Sequence, residues 1–234
     1  MCYHAPVRAQ TARVIEIQQD PGGFSAWLTC PAQVIPAAGQ YALAIDPKDA
    51  LQPLSMPLFP MAYSKDSFLA ASPYQIAWTP GTALEIHGPL GHGFKLPPTA
   101  RNVALVGLGE TSARLMPLIP TVLDQEGAVA LFTDAPLPML PSAVEAYPLS
   151  ALPELLSWAD FIAIDMPMAS LPGLRARLGL SAHAQLPCPG QALLLTPMPC
   201  GGMAECGVCA VPAHRGRKLV CEDGPVFEVD EIKW

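Results

Sequence analysis

Four cysteines crowd one end of the 234-residue sequence: Cys200, Cys206, Cys209 and Cys221, spaced C-x5-C-x2-C-x11-C. Thiolates are ligands for soft and borderline metals. Three on one short loop, with a fourth returning from a nearby hairpin, is the ligand topology of a [2Fe-2S] site, in which four sulfurs grip two irons. Zinc also accepts four thiolates, but its ribbons present two C-x2-C knuckles and only 'CGVC' qualifies here. Inert buried thiols would not need four cysteines in so short a stretch. Gly201, Gly202 and Gly207 can take positive φ and aim backbone N–H groups at sulfur, and Glu205 is the one acid in the loop, which suits an anionic cluster. Met198 and Met203 are read as apolar cover. His183, Cys188 and His214 offer a mixed ligand set, which four cysteines make unnecessary.

The remaining cysteines, Cys2, Cys30 and Cys188, bring the total to seven, an odd number whose clustering points to metal binding in a reducing compartment rather than to a disulfide framework. A hydrophobic fraction of 51% with 14% charge describes a packed globular chain. The net charge of -7 argues against nucleic acid as a partner. The start 'MCYHAPVRAQ' has no apolar signal core, and 'LLSWADFIAIDMPMASLPGL' is broken by Asp160, Asp165, Pro167 and Pro172, so neither secretion nor a membrane span is expected and the location is read as cytoplasmic.

Three textures must position the cysteines. Over residues 1–98, 'ARVIEIQQD', 'FSAWLTCPA', 'QYALAIDP' and 'TALEIHGPLG' are short apolar runs separated by turn formers, predicting an antiparallel β-barrel. The proline-rich stretch 'QPLSMPLFPMAYSKDSFLAASPYQIAWTPG' reads as irregular connections or edges. Over residues 99–190, the runs 'RNVALVGLG', 'AVALFTD' and 'DFIAIDMP' alternate with helix-compatible pieces, predicting a parallel α/β layer whose first helix is shortened or kinked by Pro117 and Pro120. Residues 191–234 run from 'QALLLTPMP' through the cysteine loop to the turn 'EDGP' and the strand-like 'VFEV', and are read as a small C-terminal [2Fe-2S] subdomain.

On these residues, 'MPCGGMAECGVCAV' and 'KLVCEDGPVFEVDEI', the chain resembles the electron-transfer subunits of bacterial class 1B dihydroorotate dehydrogenases, members of the ferredoxin–NADP reductase superfamily. The first gap is one residue longer than the x4 of plant-type ferredoxin loops. The resemblance implies that Cys200, Cys206, Cys209 and Cys221 ligate a [2Fe-2S] cluster, and that the barrel is a flavin domain closing with 'GPLGHGF', Gly88 to Phe94. It also implies a nicotinamide-domain-like α/β module, a redox partner protein such as a dihydroorotate dehydrogenase catalytic subunit, and a place in pyrimidine biosynthesis. FAD-binding candidates carried over are Pro53, Leu54, Ser55, Gly88, Pro89 and Leu90.

Three motifs depart from the family pattern. The flavin motif R-P-x-S appears as 'QPLS', with Gln52 where a guanidinium would meet the diphosphate, and 'MAYS' at Met61 to Ser64 also lacks the arginine. The nicotinamide loop G-G-G-x-G appears as 'GLGETSA' from Gly107, with Glu110 where phosphates would lie, and the C-G-P turn appears as 'IDMP' with Asp165 in the cysteine's place. The expectation is an electron-transfer subunit that keeps its cluster, passes electrons between a redox partner and a flavin (FAD) held in this chain or on a partner subunit, and does not bind NAD(H). A complete FAD-dependent NAD(H) oxidoreductase subunit and a non-redox subunit with a four-cysteine zinc site are the alternatives. His87 and His92 are read as strand-end and turn residues without a catalytic role.

Overall fold

The computed structural model describes residues 9–20, 23–52, 54–71, 78–137, 139–181 and 184–234. Cys2, His183 and the flavin candidate Pro53 lie outside the described residues.

Six strands, β1 (Gln10–Asp20), β2 (Gly23–Thr29), β3 (Tyr41–Ile45), β4 (Met56–Ser64), β5 (Ser67–Ala71) and β6 (Ala83–Leu90), close an antiparallel barrel in the order β1-β2-β5-β4-β3-β6. Alternation explains its interior: Ala12 and Val14, Ala26 and Leu28, Ala42 and Ala44, and Leu84 and Ile86 point inward at period two and pack with Leu58, Phe68 and Trp78.

Inside the proline-rich stretch the structure differs from the expected irregular connections, because β4 and β5 are full staves. Proline costs a strand one ladder donor, and β4 tolerates it by using one neighbour at a time. Met56 to Leu58 pair with β3, Phe59 to Ser64 pair with β5, and a register shift falls between Pro60 and Ala62.

The second layer is parallel, as the continuous apolar runs predict. Strands β7 (Asn102–Gly107), β8 (Ala128–Thr133), β9 (Val144–Tyr147), β10 (Phe161–Pro167) and β11 (Gly190–Leu195) are joined by short helices, α1 (Leu118–Asp124), α2 (Leu152–Leu155) and α3 (Leu174–Arg177). Pro117 caps α1 and Pro120 stands in its first turn, so the helix is short, as expected. Beyond the sheet come the hairpin β12 (Ala210–Pro212) and β13 (Arg217–Leu219), the single turn α4 (Val220–Asp223) and β14 (Val226–Glu228). The last strand returns antiparallel to β11, giving the sheet order β14-β11-β10-β7-β8-β9.

One core ties the pieces together. Tyr41, Leu43 and Phe59 on the outside of the barrel share it with Val106, Ile164 and Leu193 of the sheet and with Cys209, Val211, Phe227, Val229 and Ile232 of the C-terminal segment. Each large apolar side chain taken fully from water contributes about 1.5–3 kcal/mol, so the cysteine-bearing segment is anchored by packing as well as by pairing. Among the described residues, no helix is long and apolar enough to cross a membrane.

Candidate metal centre

The hairpin explains how cysteines distant in sequence meet. Pairing of Ala210 with Leu219 and Val211 with Lys218, extended by a Val220 N–H to Cys209 carbonyl bond of 3.1 Å, brings Cys209 and Cys221 side by side. Their Sγ atoms are 3.4 Å apart and both residues are buried. On the other side of the loop Cys200 is half-buried and Cys206 exposed, and the Cys206 side chain hydrogen-bonds to Cys200. The thiols therefore stand as two pairs. Among the described residues, no three His, Cys, Asp or Glu side chains close into a cage for a single ion.

Between the pairs the loop turns through positive φ at Gly201 (62°), Gly202 (77°), Ala204 (60°) and Gly207 (67°). This winding turns donors inward: the N–H groups of Met203, Glu205 and Cys206 serve the Cys200 sulfur, and that of Ala204 serves Cys221. Backbone amides converging on sulfur stabilise thiolate charge, which four-thiolate coordination requires. Burial pushes the Cys200 thiol up, but the hydrogen bonds from the Cys206 side chain and the loop backbone outweigh it and bring it down to about 7. Burial, and then the neighbouring Cys209, push Cys221 up to about 12. In metal-free protein at pH 7 we expect iodoacetamide to modify Cys200 well ahead of Cys221, a ranking that peptide mass mapping reads directly. Equal labelling of the two would contradict this view of the loop.

The barrel grips the same segment from below. Tyr41, fully buried in β3, lies 3.2 Å from the Cys221 carbonyl through its hydroxyl, and burial, with the Cys221, Cys209 and Cys200 charges adding, pushes that hydroxyl well above the usual tyrosine range. The 'GPLGHGF' segment supplies a second grip. The His92 N–H donates to the Gly224 carbonyl at 2.5 Å, the Val226 N–H donates to the His92 carbonyl at 3.3 Å, and His92 Nδ1 is 3.0 Å from the Asp223 carbonyl oxygen. Gly91 (φ 70°) permits this approach, because a Cβ there would lie 2.5 Å from Gly224 O and Pro225 Cδ. Sequence reasoning missed both contacts.

The flavin candidates fall in two places. Leu54 is exposed and Ser55 half-buried just before β4, level with the Ala44 end of β3, whereas Leu90 pairs with Tyr41 at the other end. At a strand rise of about 3.4 Å per residue the two groups stand roughly 13 Å apart along β3. Gly88 is buried against Ala42 and the Val34 carbonyl, and Pro89 is exposed. Gln52, in the position of the missing arginine, accepts a hydrogen bond from Trp78 Nε1 at 3.3 Å. A groove of about 1020 Å³ opens between barrel and sheet, lined by Met61, Tyr63, Met116, Leu137 and Met139, and Asp124 is the one charged residue on it among the described residues. A diphosphate entering there would meet no cation, so the residues present do not fit a dinucleotide's diphosphate.

At the ends of β7 and β10, where open parallel sheets receive ligands, an ion pair fills the space. Arg114 Nε lies 3.2 and 3.0 Å from the two Asp165 carboxylate oxygens, with side chains 5% and 0% exposed. Burial pushes the Asp165 carboxyl up while Arg114 pulls against it. The Leu108 N–H is taken by the Asp165 carbonyl at 2.8 Å, and the chain after Gly107 enters a single 3-10 turn, Ala113–Leu115, rather than a helix N-terminus. Asp165 stands out in the sequence; its partner Arg114 does not.

Comparison with known proteins gives the segment a family. Residues 196–233 match the model for the iron–sulfur cluster binding domain of dihydroorotate dehydrogenase B. No curated protein matches the chain by sequence. Among solved structures, a chain of an NADH-dependent reduced ferredoxin-NADP oxidoreductase, described in connection with flavin-based electron bifurcation, superposes with a TM-score of 0.75 at 18% identity, covering 95% of this chain and 89% of that one. The Neisseria gonorrhoeae ferredoxin NADP+ reductase, solved with FAD and NADP, gives 0.57 at 13% identity over 80% of this chain and 98% of that one. A cytochrome P450 reductase from Amycolatopsis gives 0.56 at 18% over 75% and 67%. The fold is that of the ferredoxin–NADP reductases, and the expected barrel, parallel layer and C-terminal cysteine-bearing region are all present.

Proposed function

We propose that this chain, which carries the cluster-binding segment of dihydroorotate dehydrogenase B on a ferredoxin–NADP reductase fold, is an iron–sulfur electron-transfer subunit. Cys200, Cys206, Cys209 and Cys221 are its metal ligands and the cluster is of the [2Fe-2S] type. The observation that carries this reading is the convergence of the Met203 to Cys206 amides on the Cys200 and Cys221 sulfurs, within the matched segment. Two thiol pairs suit two irons better than one tetrahedral ion.

When bound, such a cluster supplies one-electron chemistry and the protein supplies burial, orientation and field. Here the loop amides hold the negative charge of four thiolates, and buried Cys209 and Cys221 keep water from the inner pair. Exposed Cys206, flanked by Met203 (64% exposed) and Val208 (50%), forms an apolar lip. An uncovered lip of this kind suits a partner that docks over it, and the matched family makes a dihydroorotate dehydrogenase catalytic subunit the candidate. Free thiols kept as ligands suit the reducing cytoplasm.

The electron route proposed here avoids a nicotinamide in this chain, because the Arg114–Asp165 pair stands at the strand ends and the groove lacks a cation. No step is assigned to FAD on Leu54, Ser55 and Gly88 to Leu90, because Gln52 stands in the position of the family's arginine and is hydrogen-bonded to Trp78, and the flavin partner is proposed to sit on the docked subunit. Protein purified anaerobically should be brown, hold two irons per chain and lose its visible absorption on dithionite addition. Adding NADH to the chain alone should change nothing. Colourless protein with one zinc would sink the reading, and tightly bound flavin bleached by NADH would restore the complete reductase activity.

A further inference from the structure

We infer that Tyr41 is a positioning residue for the cluster: its hydroxyl reaches from the barrel to the Cys221 carbonyl, fixes the fourth ligand, and sets how readily the centre accepts an electron. The inference rests on the cluster reading above. Tyr41 and Cys221 are 180 residues apart in sequence, and the 3.2 Å contact joins the barrel wall to the turn α4 that presents the ligand. The hydroxyl also lies beneath the loop, 3.1 Å from where a Cβ on Gly202 would stand. The ring cannot swing away, since Phe59 packs on it at 5.9 Å between centroids and Gly91 approaches Cε1 closely.

Packing alone does not account for this side chain. Tyr41 is 0% exposed, and a ring needed only to fill space would be phenylalanine, which carries no oxygen to desolvate. A tyrosine hydroxyl has one proton, and here the Cys221 carbonyl is its acceptor, which places an oriented O–H dipole at the floor of the thiol pocket. Reduction by one electron adds a negative charge to the centre, and by donating to the Cys221 carbonyl the Tyr41 O–H offsets the negative end of that dipole beside the fourth ligand, which favours the reduced form.

The test is Tyr41→Phe in the full chain, purified anaerobically and titrated with dithionite in the presence of mediators. Iron content should be retained, the EPR g-values of the reduced centre should shift, and the reduced-to-oxidised ratio at a fixed solution potential should fall about threefold, the scale of one modest hydrogen bond. Unchanged g-values and an unchanged ratio would overturn the inference. Absence of iron from the unmodified chain would overturn the cluster reading first and the inference with it. Should Tyr41→Phe lose iron or fail to fold, 3-fluorotyrosine in place of tyrosine throughout the unmodified sequence keeps the ring and strengthens the donor. The ratio is then expected to rise, and a ratio equal to that of the ordinary protein would count against Tyr41.

Discussion

Asp165→Ala should destabilise the chain by about 3–5 kcal/mol, because it strands the Arg114 guanidinium without a counter-charge in a site from which water is excluded. For a chain of this size the melting temperature would drop by roughly 10 °C, and a urea titration would show a lower midpoint at similar slope. The comparison that isolates charge from packing is the double replacement Arg114→Met with Asp165→Leu. Buried ion pairs exchanged for apolar groups of similar volume are often neutral or stabilising, so the double variant should recover most of the loss. A double variant as unstable as Asp165→Ala would show that the pair acts through shape and not through charge. The pair also bears on function: it occupies the ends of β7 and β10, and a protein that needed a dinucleotide there would have to displace a buried ion pair to admit it.

The cysteine grouping is legible in the sequence because three of its members lie within ten residues and the fourth follows a short hairpin, so spacing alone reports that they share one segment. The barrel is legible in β1 and β6, where the sequence alternates with period two, and in β2 and β3 as short apolar runs between turn formers. It is hidden in β4 and β5 because proline is a statement about ladder donors, and which side of a strand needs its donors depends on neighbours chosen by the whole barrel. Strand β9 is hidden for another reason: four residues at a sheet edge carry too little pattern to register. What joins the modules is hidden more deeply. His92 meets Asp223 across 131 residues and Tyr41 meets Cys221 across 180, so 'GPLGHGF', read in the sequence as the closing segment of the barrel, proves also to be a clamp on the cysteine segment. Arg114 is an ordinary residue until β10 places Asp165 beside it.

Replacing Cys209 by serine should remove the visible absorption of the anaerobic protein and take iron well below two per chain. A serine hydroxyl at a 1% exposed position is a poor soft-metal ligand, and it leaves Cys221 without its partner at 3.4 Å. The structural consequence should be local. The barrel interior is a separate core, built from Val14, Leu28, Leu58, Phe68 and Ile86 with no member from the C-terminal segment. The segment itself is also held by Phe227, Val229 and Ile232 and by the β11–β14 pairing, none of which involves the metal. Hydrogen exchange should therefore show protection lost across residues 200–209 and largely kept in β1 to β6 and in β14. If the barrel amides lost protection as well, the cysteine loop would be part of the cooperative unit that holds the modules together, and the metal would be as much a structural element as an electron carrier.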